Sequence, residues 1–434
     1  MVALVKVIPI ALMISHAAPA HSRCPVGELA EESIQAYTGN WNRKNACSAQ
    51  EFSQEFSQEF NMDAVVDGDS HFMEPLDLFE RHVDSRFRER AVRIAEDPVT
   101  HKRAMVVDGK PMRLRDVDEV LGILSGYGQK EAGGTISTFD RYAVYSADLQ
   151  DMTARTRFLD AEGIGTQVIY PSLGIIWEGE VNDPELADAL CRAYNRWAFD
   201  LVASHRERLF PAAHISLREP ALAVKELQRV AKLGCRAAFI AAMPIKGKSF
   251  GHPEYDVVWA AAQDLDLAIA LHVVSHHHYM GAEFYRDPKP GLMYFTMNLL
   301  QDARQSLLTM LIDGVFERFP RLRAATIEAM AGWVGEWLER IDYRYKYMGH
   351  TSGMKRPVAE YFARNIWISG DPEEKMFKYV VQFAGDDKFF IGSDYPHAEG
   401  FVHPVAKARE HLKELPAASV EKILSKNARD FYRL

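Results

Sequence analysis

The chain has 434 residues, 47% of them hydrophobic and 26% charged, the balance of a globular protein with a large core; one α/β barrel with insertions can fill that length. A formal net charge of −9 excludes an electrostatic footprint for nucleic acid, and no apolar run approaches the roughly 20 residues that span a bilayer. Four scattered cysteines (Cys24, Cys47, Cys191, Cys235) exclude a disulfide scaffold or a zinc knuckle, while sixteen histidines direct attention to metal chemistry.

In chain order, the first segment is the least regular. Lys6, the apolar stretch 7–14 and Ala17-Ala18-Pro19-Ala20 sketch a secretory signal, short and interrupted by Pro9. Cys24 and Cys47 would then enter an oxidising compartment, where they could pair. The favoured reading is an extended start, because Met62 directly precedes the first strong strand and the tandem Glu-Phe-Ser-Gln copies at 51–54 and 55–58 read as linker. Residues 1–61 are thus expected to be an N-terminal extension and 62–434 the barrel. A cytoplasmic location is expected, with secretion as the alternative.

From Ala64 onward, β-branched runs alternate with amphipathic helical stretches, the pattern of a parallel sheet wrapped by helices. Strand one is 64–67. An insertion of about 80 residues follows, with a hairpin expected at Asp108-Gly109 and a glycine pair at Gly133-Gly134. Strand two is 166–170. The next helix opens with Asp183 as N-cap and Pro184 at its first position, and Leu186, Leu190, Tyr194, Trp197 and Leu201 form its core stripe. Strand three is 209–215, followed by a helix that stops at Gly234. Strands four and five are 236–241 and 267–271, with a helix at 257–262 between them. After a second insertion come strands six (322–327), seven (366–369) and eight (389–392). Asp371-Pro372-Glu373 reads as the capped start of a late helix. Eight such units predict a TIM-type (β/α)8 barrel with insertions after strands one and five. An open doubly wound sheet is disfavoured because no Gly-rich phosphate loop follows strand one.

Polar residues recur where these strands end. Asp67, Asp69 and His71 alternate after strand one and are expected on one side of an extended segment. His272 follows strand five, Glu328 strand six and Asp394 strand eight. Strand C-terminal ends converge at the catalytic face of a barrel, so these groups should meet. A lone histidine after a strand is more often a hydrogen-bonded structural residue; four groups at separate strand ends outweigh that. Imidazoles and carboxylates together suit zinc, manganese or iron.

The segment from Val65 to Pro75 (Val-Val-Asp-Gly-Asp-Ser-His-Phe-Met-Glu-Pro) resembles the first-strand signature of the amidohydrolase-2 family. Ile391-Gly392-Ser393-Asp394-Tyr395-Pro396-His397 resembles its eighth-strand signature, Leu271-His272 its fifth-strand histidine, and Ile423 to Ala428 its closing helix. The resemblance runs from about Asp63 to Leu434. It implies Asp69, His71, His272 and Asp394 as metal ligands, in a family that hydrolyses esters, lactones, amides or carbon–carbon bonds and also decarboxylates acids without oxidation. Two departures stand out. Many relatives, the decarboxylases among them, carry a histidine after strand six where this chain has Glu328, and no lysine ends strand four to bridge two metals. One divalent ion is expected, with a second only through Glu328.

Among the remaining candidates, His276 of the Ser275-His276-His277-His278 run and His397 are expected to touch substrate or support the ligands. Arg141, Arg155 and Arg157 are expected on solvated faces. The leading expectation is a hydrolase acting on an ester, thioester, lactone or amide carbonyl of a small organic acid, with metal-activated water and Asp394 as proton carrier. Glu328 would orient the water, bind metal, or pair structurally with Arg323 or Arg364. The alternative is a metal-dependent decarboxylase of an aromatic or unsaturated acid. A metal-stabilised binding protein is disfavoured, because every proposed ligand lies at the catalytic end. The partner is a small molecule, with no nucleic acid or membrane, and a homo-oligomer is expected.

Overall fold

The computed structural model describes residues 65–96, 99, 101–131, 147–276, 296 and 299–434. Twelve strands lie among them: β1 (Val66–His71), β2 (Arg93–Glu96), β3 (Arg103–Val107), β4 (Lys110–Asp116), β5 (Thr166–Tyr170), β6 (Leu209–Pro211), β7 (Ala213–His214), β8 (Ala237–Ala241), β9 (Ala268–His272), β10 (Ala324–Ile327), β11 (Ile366–Gly370) and β12 (Phe389–Ile391). β1, β5 and β6 pair in parallel, and β7 to β12 form a second parallel sheet in chain order. The third barrel strand is split at Ala212. Ala212 N–H donates to the Ile169 carbonyl and Ile215 N–H to that of Phe239, so the split strand touches both neighbours. On the other side, Ser393 and Asp394 N–H both donate to Asp69 O at 2.9 Å, and His71 N–H donates to Tyr395 O at 2.6 Å. The eighth strand thereby returns to the first, in the (β/α)8 barrel that the strand count predicts.

Local chemistry explains the elements. β8 and β9 are buried along their whole length, which calls for near-continuous apolar runs rather than alternation; Ala-Ala-Phe-Ile-Ala meets that demand. Helix Pro184–Leu201 starts where Asp183 accepts from the Glu185 and Leu186 N–H groups, and Leu186, Leu190 and Tyr194 are buried with Trp197 and Leu201 packed beside them. Helix Pro220–Ala231 is followed by Gly234 at φ +85°, a left-handed position that glycine adopts without a Cβ penalty.

The first insertion carries the antiparallel sheet β2–β3–β4, with Asp108 (φ +51°) and Gly109 (φ +74°) in the expected hairpin turn. It leans on the barrel through Arg113, whose N–H donates to Glu180 Oε1 and whose Nη1 donates to the His276 carbonyl. Gly133, Gly134, Arg141, His277 and His278 lie outside the described residues, as does the segment read as extension and signal. One helix start is corrected: Asp371-Pro372-Glu373 forms a turn, and the helix begins at Phe377. The Glu374 carboxylate instead takes the Ala331 and Gly332 N–H groups at 2.7 and 2.5 Å, holding this segment to the turn after β10. No described helix is long and apolar enough to cross a membrane.

Candidate metal centre

β1 delivers Asp69 and His71, β9 His272, and the turn after β12 Asp394. His71 Nε2 lies 3.6 Å from Asp69 Oδ1 and 3.4 Å from Asp394 Oδ1. His272 Nε2 lies 3.7 Å from Asp69 Oδ1. All four atoms are buried; those of Asp69, His71 and His272 have no hydrogen-bond partner and lie within 4.8 Å of one another, while Asp394 Oδ1 also has His397 Nδ1 at 2.8 Å. Buried polar atoms are normally paired, so three orphans facing one another, with Asp394 beside His71, fit a divalent cation.

The other ring nitrogens set the tautomers. His71 Nδ1 lies 3.3 Å from the Pro171 carbonyl and His272 Nδ1 2.8 Å from that of Val273. Each can donate there, which turns the Nε2 lone pair toward the centre. Burial, helped by the neighbouring His397 and His272, pushes His71 well below the usual imidazole range, so the ring stays neutral as a ligand must.

Glu328 Oε2 is 3.6 Å from His272 Nε2, so the residue after strand six reaches the centre. Its structural alternative is excluded among the described contacts. Arg323 pairs with Asp266 and the Phe431 carbonyl, and Arg364 with Asn365 and the Phe316 carbonyl. Glu328 and Asp394 both have left-handed backbones, at φ +55° and +53°, an uncommon state for non-glycine residues that clusters at functional sites. Burial, with the carboxylates of Glu399, Asp69 and Asp371 close by, raises both side chains well above the usual carboxylate range.

A cavity of about 140 Å³ adjoins the centre, lined by Asp69, Glu328, Asp371, Asp394 and Glu399 among others. Asp371, pushed up to about 8 by burial and neighbouring carboxylates, escaped the sequence reading because Asp-Pro-Glu looks like a helix cap. Its place directly after strand seven was the available signal. Glu399 carried none. Asp67, by contrast, does not join the cluster, because its carboxylate takes the N–H and Oγ of Ser393 and Nε2 of Gln167. The β1–β5 register shifts between Asp67 and Ser70, which interrupts the strict alternation expected for Asp67, Asp69 and His71.

His397 stands beside the centre: its ring stacks on His71 at 4.0 Å, its Nδ1 is 2.8 Å from Asp394 Oδ1, and its Nε2 is 2.8 Å from Ser172 Oγ. Burial lowers it to about 4. His276 points elsewhere, with Nε2 2.8 Å from Asp302. Arg155 is a correction: instead of facing solvent it is buried, donating to the His71 carbonyl at 2.6 Å and to Gln167. Its position between β1 and β5 outweighs the polarity of its side chain. Arg157 is exposed as expected.

The sequence profile described as Amidohydrolase matches residues 169–434. A gamma-resorcylate decarboxylase from Polaromonas sp. (strain JS666) is 26% identical over 263 residues, 57% of this chain and 77% of that protein. Decarboxylase orsB from Emericella nidulans is 28% identical over 268 residues, 56% and 76% of the two chains. Among solved structures, an amidohydrolase from Mycobacterium avium subsp. paratuberculosis K-10 superposes with TM-score 0.72 at 24% identity, covering 85% of this chain and 99% of that one. A dihydroxybenzoic acid decarboxylase from Polaromonas sp. JS666 with bound manganese and an inhibitor superposes with TM-score 0.56 at 21% identity, covering 70% and 92%. These relatives correct the expected activity. Both similar sequences are named decarboxylases, so the hydrolase reading does not stand. The strand-end motifs point to a metal site, a part common to both chemistries, and for that reason did not separate them. With the profile matching more than half of its length, the chain belongs to the amidohydrolase family.

Proposed function

We propose that the chain is a metal-dependent, non-oxidative decarboxylase of an aromatic or unsaturated carboxylic acid. The observation that carries this reading is the convergence of three buried, unpartnered atoms, on Asp69, His71 and His272, with Asp394 beside His71, in a chain whose relatives are named decarboxylases. Two imidazoles and two carboxylates form a mixed donor set suited to manganese, zinc or iron, and manganese is the ion bound in the dihydroxybenzoic acid decarboxylase. One ion per chain is the simplest occupancy. When bound, it would supply an electrostatic anchor for the substrate carboxylate.

The chain's own residues do the rest. His71 and His272 remain neutral donors, oriented by their Nδ1 contacts. Asp394, at the edge of the centre and 2.8 Å from His397 Nδ1, relays a solvent proton to the carbon that loses its carboxylate. The carbon–carbon bond breaks, its electron pair takes the proton, and carbon dioxide leaves. Glu328 sits on the same side and orients the reacting group. Asp371 and Glu399 keep the adjoining cavity acidic.

The test is incubation of purified protein in D₂O with hydroxybenzoates and unsaturated acids, with mass detection. Carbon dioxide release with one deuteron at the vacated carbon is expected, abolished by chelation and restored by manganese. Acid release from an ester or amide without carbon dioxide, or full turnover by protein verified to be metal-free, would sink the proposal.

A further inference from the structure

A second cleft, of about 410 Å³, opens among the segments that follow β5, β7, β8 and β9. Arg218, Met243, Ile245, Lys246, Asn182 and His276 are among the residues that line it, and none of the candidate metal ligands does. Its volume falls within the roughly 300–1,000 Å³ typical of small-molecule sites.

The charges of this cleft are unevenly spent. Arg218 is only 6% exposed. Its Nη1 donates to Glu178 Oε1 and Ser216 Oγ, and its Nη2 to the Glu178 carbonyl. A guanidinium has five donors, so Nε and one Nη2 proton remain without a partner among the described residues. Glu178 offers no further compensation. Burial opposes its charge, but Arg218, His214 and Ser216 hold it ionised at about 2, so its charge is already committed to them.

Lys246, an exposed side chain, lies against Arg218 at the cleft. Its Nζ donates to the Arg218 carbonyl at 3.0 Å, and no ion pair to a carboxylate is formed by it among the described residues. A tight turn presents it, with Lys246 at φ +52° and Gly247 at φ +68°, closed by the Ile245–Lys248 bridge. Met243 and Ile245, on the same segment, give the cleft an apolar wall, and Asn182 adds a neutral donor. The His276 ring is committed to Asp302. The cleft therefore combines one lysine without a carboxylate partner among the described residues, spare donors on an Arg218 whose charge Glu178 balances, and an apolar side.

We propose that this cleft is a second binding site, separate from the metal centre, for a small aromatic carboxylate: Lys246 and the spare Arg218 donors take the acid group, and Met243 and Ile245 take the ring. Lysine and arginine donors give a carboxylate the strongest hydrogen bonds available to it. The inference goes beyond the decarboxylase reading and does not depend on turnover.

The probe is 4-bromobenzoate, added to the manganese-loaded protein. In soaked crystals the bromine anomalous signal should lie against Met243 and Ile245, with the carboxylate within hydrogen-bond distance of Lys246 or Arg218. In solution, the Lys246→Glu variant should weaken this binding at least tenfold while the melting temperature stays unchanged. Lys246→Met, which removes the charge without reversing it, should give a smaller loss in the same direction. Bromine density only at the metal centre overturns the proposal, as does binding that both variants leave at the wild-type level.

Discussion

Glu328 lies 3.6 Å from His272 and among four other carboxylates, where the decarboxylases that this sequence resembles were expected to carry a histidine. A carboxylate there can accept and return a proton, but it is a hard, anionic group where an imidazole would be neutral. Replacing Glu328 by Gln keeps the shape and removes the basicity. We expect Glu328→Gln to retain full manganese content and to lose turnover by at least roughly tenfold, the low end or below for loss of an acid–base group. Lowered metal occupancy would make Glu328 a ligand instead, and unchanged turnover would remove it from the chemistry. The identity of this residue and its position after a strand were legible in the sequence. Its backbone at φ +55°, which aims the side chain, was not, because that conformation is held by the neighbouring turn and the Glu374 carboxylate.

Elements meet most tightly where strand eight returns to strand one. A Cβ placed on Gly392 would come within 2.3 Å of Asp69 Cβ, so this glycine is required by close approach. Gly392→Ala should push β1 and the segment after β12 apart, at a cost of about 1–3 kcal/mol typical of overpacking. Because Asp69 and Asp394 sit on the two sides of that seam, manganese affinity should fall at least tenfold along with the melting temperature. A variant with wild-type metal affinity would show that the seam is not what positions the ligands. Elements whose signals are local were readable. Asp183 and Pro184 open their helix where expected, and Asp108-Gly109 turns its hairpin. Asp371-Pro372-Glu373 failed for the opposite reason. Its cap chemistry is locally sound, but Glu374 is claimed by N–H groups from the turn after β10.

At the scale of the whole molecule, all eight barrel strand positions lie between Val66 and Ile391. Removal of residues 1–61 is therefore expected to leave a folded, metal-binding and active barrel, its melting temperature within a few degrees of the full chain. Insolubility or loss of the melting transition in the truncated protein would place that segment in the core. The sequence by itself determined the barrel and the identity of the groups at its strand ends, because both follow from short-range patterns: apolar runs bounded by turns, and polar residues at the points where strands stop. Only the tertiary structure decided which of those groups share one centre. Asp69, His71 and His272 bring unpartnered polar atoms within 4.8 Å of one another, with Asp394 3.4 Å from His71, whereas Asp67 is taken up by Gln167 and Ser393, and His276 by Asp302. A side chain's partner is set by what packs against it from distant parts of the chain, and no local pattern carries that information.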